Sequence, residues 1–342
     1  MNRIVGVVIL LVVLYAALFA SDPNASSTGN LIDVANRQGF YAVLTFGVGL
    51  LIVTGGIDLS LGSVVGLTAV LFGVLMQRGN HPYLATALAL GSGVAIGLIN
   101  GLLVTTLRLQ PFLVTLCGLF VYRGVARQLT SSPVGLQKVI NQHPDFVGPI
   151  GTLRNVFVGK DADGALSFPL LVVVAVVLAA VIGLFLHKSV YGRYWYAIGY
   201  NESAAKFAGI NVNGQRLIVY ILCSTLAAFG GVLLLLDYGT AAPESAGESL
   251  ELYAITGAVL GGCSLRGGEG TAIGILLGAA VLPLLRNLVL FLGIRDAIVP
   301  SVIGLTLLSG VLADEFFRRG YGPWSYLRLL LQSKDERKTP VA

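Results

Sequence analysis

Charge is what this sequence has least of. Only 11% of its 342 residues are Asp, Glu, Lys or Arg, against roughly a quarter in an ordinary soluble domain. So few charges cannot cover a water-facing surface. With 55% hydrophobic residues and a mean hydropathy of +0.83, the composition calls for a chain that crosses a membrane many times. Cysteine is scarce as well: Cys117, Cys223 and Cys263 stand in apolar surroundings at no metal or redox spacing and read as small core residues. His81, His143 and His187 are scattered, which excludes a clustered histidine metal site. No GxxxxGK[ST] or GxGxxG stretch occurs, so the chain carries no nucleotide site of its own. Neither a cofactor nor a catalytic residue is expected. A net charge of +5 then means contact with membrane lipid and not with nucleic acid.

Glycine, by contrast, is plentiful at 44 residues. Much of it recurs at helix-packing spacing: Gly62 and Gly66; Gly93, Gly97 and Gly101; Gly257 and Gly261; Gly270, Gly274 and Gly278. Small residues so spaced let helix backbones approach closely in a bilayer. The expected fold is all-α, a polytopic transmembrane helical bundle of about ten spans in two related halves with broken or re-entrant helices. The first half covers about 31–130 and the second about 217–314, with a polar outer loop 130–167, a polar island 188–216 and a charged tail 315–342. Ile4 to Ala20 could be a signal peptide or a first span, and the lack of an A-x-A pattern before Asp22 favours the span. Arg123 and Arg127 share one face of the fifth span, and an early emergence that lets them snorkel is the preferred reading.

Two stretches interrupt apolar runs. Thr54 to Ser63 reads TGGIDLSLGS, where Gly55 and Gly56 break a helix and Asp58 or Ser60 can cap the next. Leu260 to Gly270 reads LGGCSLRGGEG, and Gly261, Gly262 and Ser264 parallel Gly55, Gly56 and Asp58. The stretch from Asn100 likewise parallels that from Asn287. Asp58 and Ser264 are expected to accept the orphan N–H groups of the breaks; contact with a solute hydroxyl in a pathway is the alternative for Asp58.

Lys188 to Arg216 is a polar island between apolar segments. Asn201 can cap a helix whose first turn holds Glu202, and Gly209 is placed to end it, giving one two-turn helix flanked by loop. Ala204, Ala205, Phe207, Ala208 and Ile210 look buried, as on a helix offered to a partner protein. Ten spans with an internal N-terminus put thirteen Lys and Arg inside and seven outside. The island and both termini are therefore expected in the cytoplasm.

In order, TGGIDLSLGS, GRYWYAIGYNESAAKFAGI and ELYAITGAVLGGCSLRGGEGTAIGILLGA resemble the membrane permease subunits of bacterial ABC importers for ribose, xylose, galactose and related sugars, over about Phe40 to Asp314. The resemblance implies that the island is the coupling segment docking into an ATPase subunit, with Gly192, Gly199, Asn201, Ala204, Ala205 and Gly209 matching it. Tyr194 and Trp195 replace a small or aliphatic pair, and Lys206 stands where Arg is frequent. It further implies a cytoplasmic ATP-binding subunit that uses the ATP, a periplasmic or lipid-anchored sugar-binding protein, a second permease chain (the same or a paralogue), and a bacterial inner-membrane location. Nucleoside and branched-chain amino acid permeases share this architecture. An ion-coupled secondary transporter would show further carboxylates within its spans, and a membrane-embedded enzyme would show clustered His, Asp or Glu.

Overall fold

Apolar runs punctuated by capping residues become helices. The computed structural model describes residues 2–160, 168–294 and a few positions between 298 and 308. Residues 1–296 form one compact unit and 297–342 a second; the tenth expected span, 298–313, and the tail 315–342 fall outside the continuously described residues. The first unit begins with α1 (Asn2–Ser21), α2 (Thr28–Val53), α3 (Leu61–Gln77), α4 (Pro82–Thr105) and α5 (Pro111–Leu129). Pro82 and Pro111 open the last two, where a missing N–H costs nothing. Next come α6 (Leu136–Gln142) and α7 (Val147–Val158), so the expected outer loop is itself partly helical. After α8 (Leu170–Lys188) the island folds as α9 (Val190–Tyr200) and α10 (Glu202–Phe207), and α11 (Val212–Tyr238), α12 (Leu250–Leu260) and α13 (Ala272–Phe291) complete the unit. Two short strands, β1 (Val134–Gly135) and β2 (Thr240–Ala241), pair antiparallel.

Among the described residues six helices are long and apolar enough to cross a membrane: α1, α4, α5, α8, α11 and α13. The chain is an all-α membrane bundle. α2 and α11 form its centre. α2 is buried almost continuously from Gly39 to Val53, and α11 packs against α4, α3 and α2. Close approach explains the glycines of α4: a Cβ on Gly93 would stand 2.7 Å from the Ser224 carbonyl, and one on Gly97 2.7 Å from that of Tyr220. Cys223 and Cys263 are buried as expected, whereas Cys117 is exposed on α5.

Candidate functional site

Both interruptions are built by one hydrogen-bond pattern. At the end of α2, Gly55 N donates to Ile52 O at 2.8 Å and Gly56 N to Leu51 O at 2.9 Å, with Gly55 at φ +78°. At the end of α12, Gly262 N donates to Val259 O and Cys263 N to Ala258 O, both at 2.9 Å, with Gly262 at φ +91°. This is the Schellman termination, which needs a left-handed residue and so takes glycine. The backbone thus matches Gly55 to Gly262, one residue off the alignment of Gly55 with Gly261. Gly261 instead packs helix on helix, since a Cβ there would lie 2.2 Å from Gly274 O.

Beyond the first break Asp58 is fully buried. Its Oδ1 accepts from Ser60 N at 2.7 Å and from Ser60 Oγ at 2.6 Å. Ser60 Oγ in turn accepts from Asn100 Nδ2 at 3.2 Å, and Tyr122 donates its hydroxyl to Asn100 Oδ1 at 2.7 Å. Cys223 Sγ stands 3.9 Å from Asp58 Oδ2. Asp58, Ser60 and Asn100 therefore form one network tying the break to α4, α5 and α11, which satisfies a carboxyl that membrane burial would otherwise penalise heavily. Beyond the second break Ser264 is also buried; its hydroxyl accepts from Arg266 N at 3.3 Å and its carbonyl from Gly267 N at 2.8 Å.

Asn287 does not join this network. It lies in α13, the first helix after its break, whereas Asn100 lies in the second helix after the other break. It exchanges amide hydrogen bonds with Asn30 at 2.8 and 3.3 Å beside a cavity of about 280 Å³ lined by Asp33, Arg37, Tyr41 and Arg286.

The island holds two helices where the sequence suggests one. Ser189 Oγ caps α9 through Gly192 N at 2.9 Å. Trp195 is buried, its ring 4.9 Å from that of Phe185 and its Nε1 donating to Gln215 Oε1 at 2.9 Å. The helical spacing of Tyr191, Tyr194 and Trp195 was the available signal. Gly192 lets α9 fold back onto α8, because a Cβ there would lie 2.2 Å from Leu186 O. In α10, Asn201 Oδ1 accepts from Ala204 N at 3.0 Å and Gly209 takes φ +80° just past the end. Glu202 pairs with Lys206 and, at 2.8 Å, with Arg216. The Lys206 hydrogen bond chiefly holds its carboxyl below the usual range, with Arg216 adding and partial burial opposing.

Burial divides the residues of the expected docking face. Of the five residues that look buried, only Ala205 is, packed with Ile198 and Val212 of the same chain; Ile210 is half-buried, Ala204 and Ala208 are exposed, and Phe207 is 93% exposed. A six-residue helix has too few positions for its pattern to tell its own side from a partner's.

The sequence did not show that this helix pair touches both breaks. Gly268 N, in the second break, donates to Val53 O at the first, at 2.9 Å. Gly199 of α9 sits against both: a Cβ there would be 1.9 Å from Val53 O and 2.3 Å from Gly268 N. Tyr196 donates its hydroxyl to Gly270 O at 2.7 Å. No linear motif announces such a contact, because its partners are about seventy to one hundred and fifty residues apart.

Arg123 also departs from expectation. It faces the bundle and donates to Ala246 O, while Arg127 is exposed. Among the described residues no group of three His, Cys, Asp or Glu could hold a metal ion.

Similarity to known proteins agrees with this geometry. The profile of the family described as "Branched-chain amino acid transport system / permease component" matches residues 30–312. The chain is 38% identical to the probable ABC transporter permease protein y4mJ of Sinorhizobium fredii over 93% of this chain and 90% of that one. To the ribose import permease protein RbsC of Escherichia coli K12 it is 36% identical over 90% and 92%, and to the fructose import permease protein FruF of Bifidobacterium longum 29% over 86% and 80%. No solved structure gives a significant match. With its broken helices, its central buried α2 and a family match across most of its length, this chain belongs to the ABC transporter permease family of that description, a multi-pass inner-membrane transport component.

Proposed function

We propose that this chain is the permease subunit of an ATP-driven importer and forms, with a second permease chain, the path of a ribose-type monosaccharide. The observation that carries the coupling part is the contact of one exposed helix pair with both helix breaks. A push on α9 and α10 from a partner reaches Val53 and Gly268 through backbone, without compressible side chains between. ATP is hydrolysed by a separate subunit docking on the face of Phe207 and Ala204, and Asn201, Glu202, Gly209 and Gly192 hold that face in shape. Ala205 supports it from within. The network of Gly55, Gly56, Asp58, Ser60 and Asn100 shapes the first break, Gly262 and Ser264 shape the second while Gly261 packs it against α13, and Asn287 pins the far end of α13 to α2. A binding protein on the opposite side delivers the sugar, and both termini lie in the cytoplasm.

The substrate class rests on the relatives named for ribose and fructose import; the family's description favours a branched-chain amino acid as the second reading. Proteoliposomes holding the permease, its ATPase and its binding protein decide between them. ATP-dependent uptake of D-ribose but not L-leucine is expected, whereas leucine uptake, or uptake without ATP, overturns the reading. Orientation has its own test. Asn141→Cys should react with an impermeant thiol reagent in intact cells and Asn213→Cys should not, in a Cys117→Ser background; the reverse pattern inverts the topology.

A further inference from the structure

Between Ala241 and Gly247 the chain drops into the bundle. Val134, the β partner of Ala241, lies against Gly73 of α3, its Cγ2 2.8 Å from where a Cβ would be. The Ala246 carbonyl lies 2.2 Å from a Cβ placed on Gly66, and the Gly247 carbonyl 2.4 Å from one on Gly62. Gly73 to Gly62 is about 16 Å along a helix. α12 starts here. Its Tyr253 ring lies 5.8 Å from that of Tyr41, near the middle of α2, and Gly257 follows against Thr45. α2 is about 39 Å long, against a hydrocarbon core of about 30 Å, so Glu248 and Glu251 stand near the centre of the bilayer.

At that depth charge is exposed. Glu248 is exposed; behind this open charge Glu251 is buried with Oε2 beside Gly62, and half-buried Arg123 reaches across from α5 to the Ala246 carbonyl. Arg123 Nη1 lies 3.1 Å from a Cβ placed on Gly66, one turn of α3 from the Gly62 that Glu251 faces. Arg127, one turn further along α5, is exposed as well. Neither open charges nor irregular backbone is tolerated against lipid tails; each occurs at this depth only where protein or a water-filled path covers it.

We propose that Arg123, Arg127, Glu248 and Glu251, with the dipping turn 242–249, form the wall of the solute path and hold an uncharged polyol by its hydroxyls. Two cations and two carboxylates offer donors and acceptors without net charge, which suits a neutral ligand with several hydroxyls better than an ion or an amino acid. Arg123 has a second duty, holding the turn in place through Ala246. The ligand class rests on the sugar-importer reading; the wall assignment rests on depth and on the exposure of Glu248 and Arg127, with Glu251 and Arg123 lying behind them.

The test uses the assembled transporter in membranes, in a Cys117→Ser background because Cys117 is exposed on α5. A small charged methanethiosulfonate reagent is applied with and without ATP. Glu248→Cys is expected to react at least ~10-fold faster than Val177→Cys, an exposed position on the outward side of α8. D-Ribose with its binding protein should slow that reaction several-fold, and L-leucine should not. Equal, slow labelling at both positions in both states overturns the wall assignment, whether or not the protein imports ribose. Fast labelling that D-ribose leaves unchanged overturns the hydroxyl contact. Fast labelling without ribose uptake instead removes the sugar reading and leaves the wall standing.

Discussion

The two helix breaks end their helices with the same pair of hydrogen bonds and then part company. After Gly55 the chain makes a tight turn whose one carboxylate is bound by Ser60 and, through it, by Asn100 and Tyr122, with Cys223 beside it, so that the break is anchored into α4, α5 and α11. After Gly262 the chain runs through a longer glycine-rich loop, with Gly267 and Gly268 at φ +88° and +77°, and leans on α9 through Gly199 and Tyr196. One break is fastened by side chains within the bundle, and the other by backbone against the exposed helix pair. The pair meets both breaks at Gly199, the first through Val53 and the second through Gly268.

The largest effect should come from closing the gap where the two meet. Gly199→Ala places a methyl 1.9 Å from Val53 O and 2.3 Å from Gly268 N, a backbone clash that cannot be relieved by rotating a side chain. A loss of about 3 kcal/mol or more is expected, read as a fall in membrane-assembled protein or in its melting temperature. Gly56→Ala meets the flexible Leu51 side chain at 3.0 Å and the Leu51 carbonyl at an ordinary 3.4 Å, and should cost clearly less; equal losses would break the idea of a backbone junction.

Next in size is the anchor of the first break. Asp58→Ala orphans the buried Ser60 N–H and hydroxyl, costing about 2 to 3 kcal/mol, while Asp58→Asn keeps one acceptor oxygen and should retain most assembled protein. Ala with normal abundance and no transport would instead assign Asp58 to the solute path.

Phe207→Ala comes third and separates docking from folding. The ring is 93% exposed, so the melting temperature should stay unchanged while co-purification with the ATPase weakens ~10-fold or more, the behaviour of an aromatic anchor. Undiminished ATPase binding would show that the helix pair docks elsewhere. Ala205→Asp, which looks from the sequence like the better probe, would bury a charge among Ile198 and Val212 and unfold the pair from within.

The smallest effect belongs to Ser264→Ala. Its hydroxyl accepts from Arg266 N over a long 3.3 Å and carries no charge, so a loss of about 1 kcal/mol is expected. A loss matching that of Asp58→Ala would erase the contrast between the breaks.

Membrane class, the presence of both breaks, the cap at Asn201 and the packing role of the α4 glycines could be read from residue order, because each depends on neighbours within one or two turns. α9 was hidden by its aromatic and glycine content, which lowers intrinsic helix propensity and is outweighed by the burial of Trp195 against Phe185. The re-entrant turn was hidden because Asp237 to Ser249 looks like any polar outer loop. Glu251 escaped notice for the same reason, as its burial depends on Gly62 and Arg123 far away in the chain.

The sequence by itself determined that this protein lives in a bilayer, where its helices break and which residues can end them. Composition and short-range hydrogen bonding decide those matters before any fold exists. Only the tertiary structure decided that the exposed helix pair meets both breaks, which face of α10 stays open and which charges α3, α5 and α12 bring together. Those depend on contacts between residues tens to hundreds of positions apart, and close packing fixes them only when all the helices are in place.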